Sequence, residues 1–261
     1  MFPTLWRNRS LVFELARREF SGRYRGSFGG VVWSFVQPLF LLAVYTVAFG
    51  VIFKARWGFA GGTGDYALML FAGLIVFNAV AECLGKAPTL ITANPNFVKK
   101  VVFPLETLSW VMALTAVFHA LIGIVVWFLG YLILVGLPKP AALLFPLVLA
   151  SLFPLLLGLG WLLSAIGVVV RDIGQLTAMV SHALLFLTPI FYSIDAVPPL
   201  LHGALLLNPL TFVVEELRSV LIHGKAPQFT GLALYFALST LFAWLALIVF
   251  RRLRPRFADM V

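Results

Sequence analysis

Five long stretches of this chain contain no Asp, Glu, Lys or Arg: Gly26–Phe53, Thr107–Pro138, Pro140–Val170, Ile173–Ile194 and Ala226–Phe250. Each is long enough for the roughly 20 apolar residues that a helix needs to cross a bilayer. A sixth, Tyr66–Gly85, is interrupted only by Glu82. With 62% hydrophobic and 11% charged residues, there are too few charges to cover a water-facing surface; soluble chains average about 25%. The reading is an all-α polytopic membrane protein of one domain, with six transmembrane helices at about 30–53, 66–85, 107–136, 142–170, 173–193 and 229–250.

A seventh apolar stretch, Ala196–Val214, holds Pro198, Pro199 and Pro209. Proline removes a backbone donor and breaks a continuous span. Residues 195–228 are therefore expected to form short re-entrant helices at the outer side, buried against protein. Charge placement favours this count. With the N-terminus inside, 14 of the 19 Lys and Arg residues fall on cytoplasmic segments, as the positive-inside rule expects. A seventh span would put the Arg251–Arg256 cluster outside. Both termini are thus expected in the cytoplasm, with the chain in a bacterial inner membrane and no cleavable signal peptide. The net charge of +9 is spread between apolar runs, which argues against nucleic acid as a partner.

Residues 1–25 are expected to lie on the membrane rather than cross it. At 100° per residue, Leu5, Val12, Phe13, Ala16 and Phe20 share one arc, and Arg7, Glu14, Arg18 and Arg25 the opposite one. This amphipathic interface helix places Arg18, Arg23 and Arg25 at lipid head groups.

The chain carries no chemistry motif. It has no GxxxxGK[ST] phosphate loop, HExxH, GxSxG or CxxC. The lone Cys83 excludes an intrachain disulfide, and His119, His182, His202 and His223 are not spaced as metal ligands. No catalytic or metal-binding residue is assigned. Glu82, four residues before Lys86, reads as an i,i+4 pair near the cytoplasmic end of its span. Alternatively, Glu82, His119 or His182 is the proton site of a secondary transporter. A membrane transferase would need converging acids, but the adjacent Glu215 and Glu216 point about 100° apart on a helix.

Four segments, in order along most of the chain, resemble ABC-2-type permeases that export O-antigen, teichoic acid and capsule polysaccharides. They are ARREFSGRYRGSFGGVVWSFVQPLFLLAVYTVAFGVIF (Ala16–Phe53), NPNFVKKVVFPLETL (Asn94–Leu108), VVRDIGQL (Val169–Leu176) with LTPIFYSIDAVP (Leu187–Pro198), and NPLTFVVEELRSVLIHG (Asn208–Gly224). The resemblance implies a homodimer of twelve spans around one pore, driven by two copies of a separate cytoplasmic ATPase. ATP and Mg would then sit on that partner, with no cofactor on this chain. It implies a glycan carried on a lipid pyrophosphate as substrate. It also implies ATPase contacts at Asn96, Phe97, Lys99 and Lys100 and gate helices in 195–228; the very short charged loop Val170–Ile173 makes Arg171 and Asp172 a second candidate contact point. Candidate pore or gate residues are Trp33, Phe35, Tyr45, Phe49, Phe191, Tyr192, Glu215 and Arg218; aromatic faces stack on sugars without fixed charge. An ABC-2 permease for a drug or small lipid is the nearest alternative.

Overall fold

The computed structural model describes residues 8–23, 30–52, 63–98, 103–170 and 172–260. Among them every regular element is helical. In chain order the α-helices are α1 (Arg9–Arg23), α2 (Trp33–Tyr45), α3 (Thr63–Lys86), α4 (Pro95–Val98), α5 (Glu106–Leu134), α6 (Phe145–Val169), α7 (Ile173–Leu187), α8 (Pro199–Leu207), α9 (Pro209–Arg218), α10 (Phe229–Leu253) and α11 (Phe257–Met260).

Four helical stretches are long and apolar enough to cross a membrane: Asp65–Thr89, Glu106–Leu134, Pro140–Val169 and Phe229–Arg256. Two shorter apolar helices, Trp33–Phe49 and Ile173–Leu187, correspond to the first and fifth expected spans. α7 stops at Leu187 rather than near residue 193 because Pro189 follows closely. Thr188, the residue before the proline, is extended (φ −89°, ψ 136°), as proline's ring requires of its predecessor. The 15 residues of α7 rise only about 22 Å, less than the roughly 30 Å hydrocarbon core. α2 keeps Pro38 inside it and runs on as a wider π turn, Thr46–Ile52, with Thr46 Oγ1 donating to the Leu42 carbonyl at 2.8 Å.

α3 is the central post. Every residue from Tyr66 to Phe77 is buried, and α3 packs against α2, α5, α6, α7 and α9. Two buried tryptophans tie this centre together by their indole N–H groups, each needing an acceptor in an apolar interior. Trp127 Nε1 donates to Leu68 O and Trp161 Nε1 to Glu106 O, both at 3.1 Å. α6 lies along α10, where Gly158 lets the backbones approach: a Cβ there would stand 3.1 Å from Ala243 Cα. At the other end of α6, a Cβ on Gly167 would overlap the Pro88 carbonyl, so only glycine admits the Ala87–Thr89 turn that follows α3.

α1 packs on α5 with Val12 and Ala16 buried. The expected arc is rotated in one respect: Phe13 is 61% exposed, and the inward line runs Val12, Ala16, Glu19, Phe20. The 100° turn between neighbours cannot bury Val12 and Phe13 equally against one helix.

Candidate functional site

Three clusters of polar side chains stand out against the apolar body. The first joins α1 to the bundle. Lys86 Nζ lies 2.8 Å from Glu19 Oε1 on α1 and 2.9 Å from Glu82 Oε1 one turn back on α3. Glu82 Oε2 in turn meets His119 Nδ1 on α5 at 2.7 Å, and the Phe20 ring leans on Phe118 and His119. Glu82 is thus paired with Lys86 as the spacing predicts, and with His119 as well. Above this chain opens a cavity of about 490 Å³, lined by Ser34 and Gln37 of α2, Asn78 and Glu82 of α3, and His119 and Gly123 of α5.

The second cluster closes the other end of α3. Arg218, one of the candidate pore or gate residues, is 1% exposed and sequestered among carbonyls. Its Nε donates to Met69 O (3.1 Å), Nη1 to Pro189 O (2.6 Å) and to Glu215 Oε1 (2.8 Å), and Nη2 to Ile190 O (2.8 Å). The physical reason is that Pro189 ends α7 and leaves carbonyls without helical donors, which a planar guanidinium satisfies as a fork. Gly73 faces it closely; a Cβ there would lie 3.1 Å from Nη2. Asn208 caps α9 through Oδ1, accepting from Leu210 N at 3.0 Å. Its Nδ2 donates to Thr188 Oγ1 at 2.9 Å, so the Asn-Pro pair starts one helix while holding the end of another. Glu216 accepts from Gln228 N at 2.9 Å, and Tyr66 donates to the Phe191 carbonyl at 2.8 Å. Glu215 itself keeps an exposed side chain. Burial lowers the pKa of His223, and the positive charge of Lys225 and Lys139 adds to this.

The third cluster links the start of α5 to the last turn of α10 and the Arg254–Arg256 turn that follows it. Buried Glu106 takes Arg254 Nη1 at 3.2 Å and lies 3.5 Å from Arg251 Nε, and Arg254 Nη2 reaches Phe103 O. Phe97 of α4 stacks on Phe103 at 4.3 Å, and Asn96 beside it is exposed.

Among the other expected site residues, Asp172 is exposed at the start of α7; Lys99, Lys100, Arg171 and Arg25 lie outside the described residues. Arg18 is exposed on α1, and Arg23 ends that helix with its side chain outside the description. Trp33 is exposed; Phe35, Tyr45, Phe49 and Phe191 pack partly against the core, and Tyr192 donates to Phe186 O. His182 sits on an exposed face of α7, with Nδ1 2.8 Å from the Ala178 carbonyl. Residues that sequence reasoning passed over are Glu19, Asn78, Glu106 and Arg254. Asn78 was visible as the lone amide in an apolar run, whereas the partners of Glu19 and Glu106 are 67 and 148 residues away. None of the described His, Cys, Asp and Glu residues form a group able to hold a metal ion.

The profile of the family described as "ABC-2 type transporter" matches residues 10–222. The chain is similar to the "O-antigen export system permease protein RfbA" of Myxococcus xanthus, 24% identical over 264 residues, covering 98% of this chain and 97% of the relative. Two proteins of the same description from Klebsiella pneumoniae are 21% and 22% identical, each over 96% of this chain and 95% of the relative.

Proposed function

Because the chain belongs to the ABC-2 type transporter family, we propose that it is the membrane-spanning subunit of an ATP-driven exporter. Its cargo is a lipid-linked polysaccharide, O-antigen-like or teichoic-acid-like, carried from the cytoplasm to the outer face of the inner membrane. The observation that carries this reading is similarity along nearly the whole chain to three proteins described as O-antigen export permeases. A partner supplies ATP hydrolysis, since the sequence holds no phosphate loop.

In this reading two copies form the pore. Residues 30–52 of the α2 region rise about 34 Å and complete a first crossing, and α7 with the chain beyond it a fifth. α8 and α9 are the outer gate, held to α7 by Arg218 and Asn208. α1 lies along the inner leaflet with Arg18, Arg23 and Arg25 at head groups. Asn96, Phe97, Lys99, Lys100, Arg171 and Asp172 face two ATPase subunits. The Phe97–Phe103 stack beside the Glu106–Arg254 contact gives that face a route to α5 and α10. Trp33, Phe35, Tyr45, Phe49, Phe191, Tyr192 and Glu215 remain the candidates along the glycan path.

The test is co-expression with the ATPase encoded beside this gene, followed by purification in lipid. The two chains are expected to co-purify, and Phe97→Ala to lower transport per ATP hydrolysed without releasing the ATPase. A permease that purifies alone and moves substrate only with a proton gradient refutes the reading.

A further inference from the structure

We propose that Lys139 and Lys225 form a binding site for the phosphate of an anionic membrane lipid, at the end of the bundle where α5 stops and α10 begins. The site requires that the chain be a membrane protein, not that it export glycan; on the export reading this end is the outer one, beside α9.

The two lysines come from separate loops that the fold brings together. The Pro140–Leu144 turn before α6 packs on the π turn Ser219–His223 that follows α9. Lys139 stands between Pro138 and Pro140 in an extended conformation (φ −69°, ψ 148°), so its backbone is fixed before anything binds. Its stem lies across Gly224, which is left-handed (φ 68°); a Cβ there would overlap Lys139 Cδ. The ammonium donates one hydrogen bond to the His223 carbonyl at 3.2 Å and keeps two protons for another acceptor. Lys225 follows Gly224 directly, with its backbone N–H held by Ser219 O at 3.0 Å, and is exposed. Both ammoniums act on the His223 imidazole, adding to burial in lowering its pKa, so they share one locality.

The charge there favours an anion whatever the state of His223. The charged groups acting on that imidazole are Lys225, Lys139 and Arg218 against Glu215. Glu215 is taken up by Arg218 and Glu216 by Gln228 N, and among the described residues neither lysine has a carboxylate partner. Even with Glu216 counted as ionised, three cations face two anions. Apolar neighbours decide that the bound anion is borne on a lipid. Leu137 is 86% exposed, and Leu143 and Phe229 are exposed too. In a membrane protein such residues mark the hydrocarbon edge, where lysine stems lie along apolar surface and lift their ammoniums to the headgroup level.

The experiment places a bimane fluorophore on Leu137→Cys in the full permease in liposomes; the native Cys83 is fully buried and stays unlabelled. Quenching is followed with phospholipids brominated on their acyl chains. Brominated phosphatidylglycerol is expected to quench at a lower mole fraction than brominated phosphatidylcholine. Lys139→Gln and Lys225→Gln, both at exposed positions, are each expected to lower that preference about two- to fivefold, one cation's worth. Inorganic phosphate, against sodium chloride of the same ionic strength, is expected to leave the preference unchanged. Equal quenching by the two lipids in the parent, an undiminished preference in the double variant, or loss of the preference in free phosphate would each overturn the proposal. So would no quenching by either lipid, the result if a second copy covers this face. Quenching needs neither nucleotide nor ATPase, so failure to co-purify with an ATPase would sink the export reading alone, and failed quenching would leave that reading standing.

Discussion

Replacing Arg218 with methionine removes one side chain from four acceptors at once. The carbonyls of Pro189 and Ile190 and the carboxylate of Glu215 lose this donor, while Met69 O, inside α3, keeps its helical one. Each buried carbonyl left unsatisfied costs about 1–3 kcal/mol, but the methionine also avoids the cost of burying a charge, several kcal/mol for a group of this size. The net expectation is about 2–4 kcal/mol, from two orphaned carbonyls partly offset by the charge no longer buried, with the exposed Glu215 carboxylate left in solvent. Arg218→Lys keeps the charge but loses the planar fork, and falls between methionine and the parent. Glu215→Gln removes one bond at a carboxylate whose side chain is 41% exposed, and costs under about 1 kcal/mol. The sole cysteine supplies the assay, because Cys83 reacts with a thiol-sensitive dye only as the fold opens. At about 2–4 °C per kcal/mol for a chain of this size, Arg218→Met should melt roughly 10 °C below the parent and Glu215→Gln within about 3 °C. Equal shifts for the two variants, or an Arg218→Met protein that melts with the parent, would refute the account of Arg218 as the tie between α3, α9 and the end of α7.

Gly167→Ala should destabilise by about 1–3 kcal/mol, because the added methyl meets the Pro88 backbone carbonyl and not a yielding side chain; the same melting assay reads it, with the exposed Gly203→Ala as control. His223 gives a pH dependence. Its folded value lies below the free imidazole's about 6.5, so its contribution is in place above that pH and fades as pH falls through the folded value. Hydrogen exchange corrected for intrinsic rates should show the 195–228 amides losing protection on acidification, and His223→Gln should flatten that loss.

The parts of the fold written in local chemistry were legible. Proline punctuation separated α8 and α9 from the long helices, and the i,i+4 spacing of Glu82 and Lys86 predicts the ion pair that the fold contains. Apolar run length marked the four long helices, yet it misjudged α7, because a charge-free run does not reveal where Pro189 ends the hydrogen-bonded ladder. The tertiary partners were not legible. Arg218 reads only as a pore or gate residue until carbonyls of α3 and of the turn after α7 surround it, and Phe13 and Val12 look equivalent until α5 selects one of them. Such choices depend on which helices become neighbours, and apolar periodicity carries little of that information when a helix is hydrophobic all round.

Glu82 separates the two transport mechanisms that the sequence left open. A proton carrier must exchange partners as it loads and unloads, whereas Glu82 is clasped from two sides, by Lys86 at 2.9 Å and by His119 at 2.7 Å. Lys86 also reaches Glu19, so the carboxylate braces α1 against α3 and α5. A brace predicts unequal costs along its length. The Glu19–Lys86 contact is about a third exposed at both ends and contributes under about 1 kcal/mol. Glu82→Gln, more enclosed, leaves Lys86 and His119 without their shared anion and costs more, about 2–3 kcal/mol for hydrogen bonds to a charged group. In proteoliposomes containing the permease and its ATPase, Glu82→Gln should melt several degrees lower yet retain ATP-driven transport with the parent's pH profile. A Glu82→Gln protein that melts normally but transports nothing, while the parent's rate follows the proton gradient, would make Glu82 a carrier and remove the brace argument.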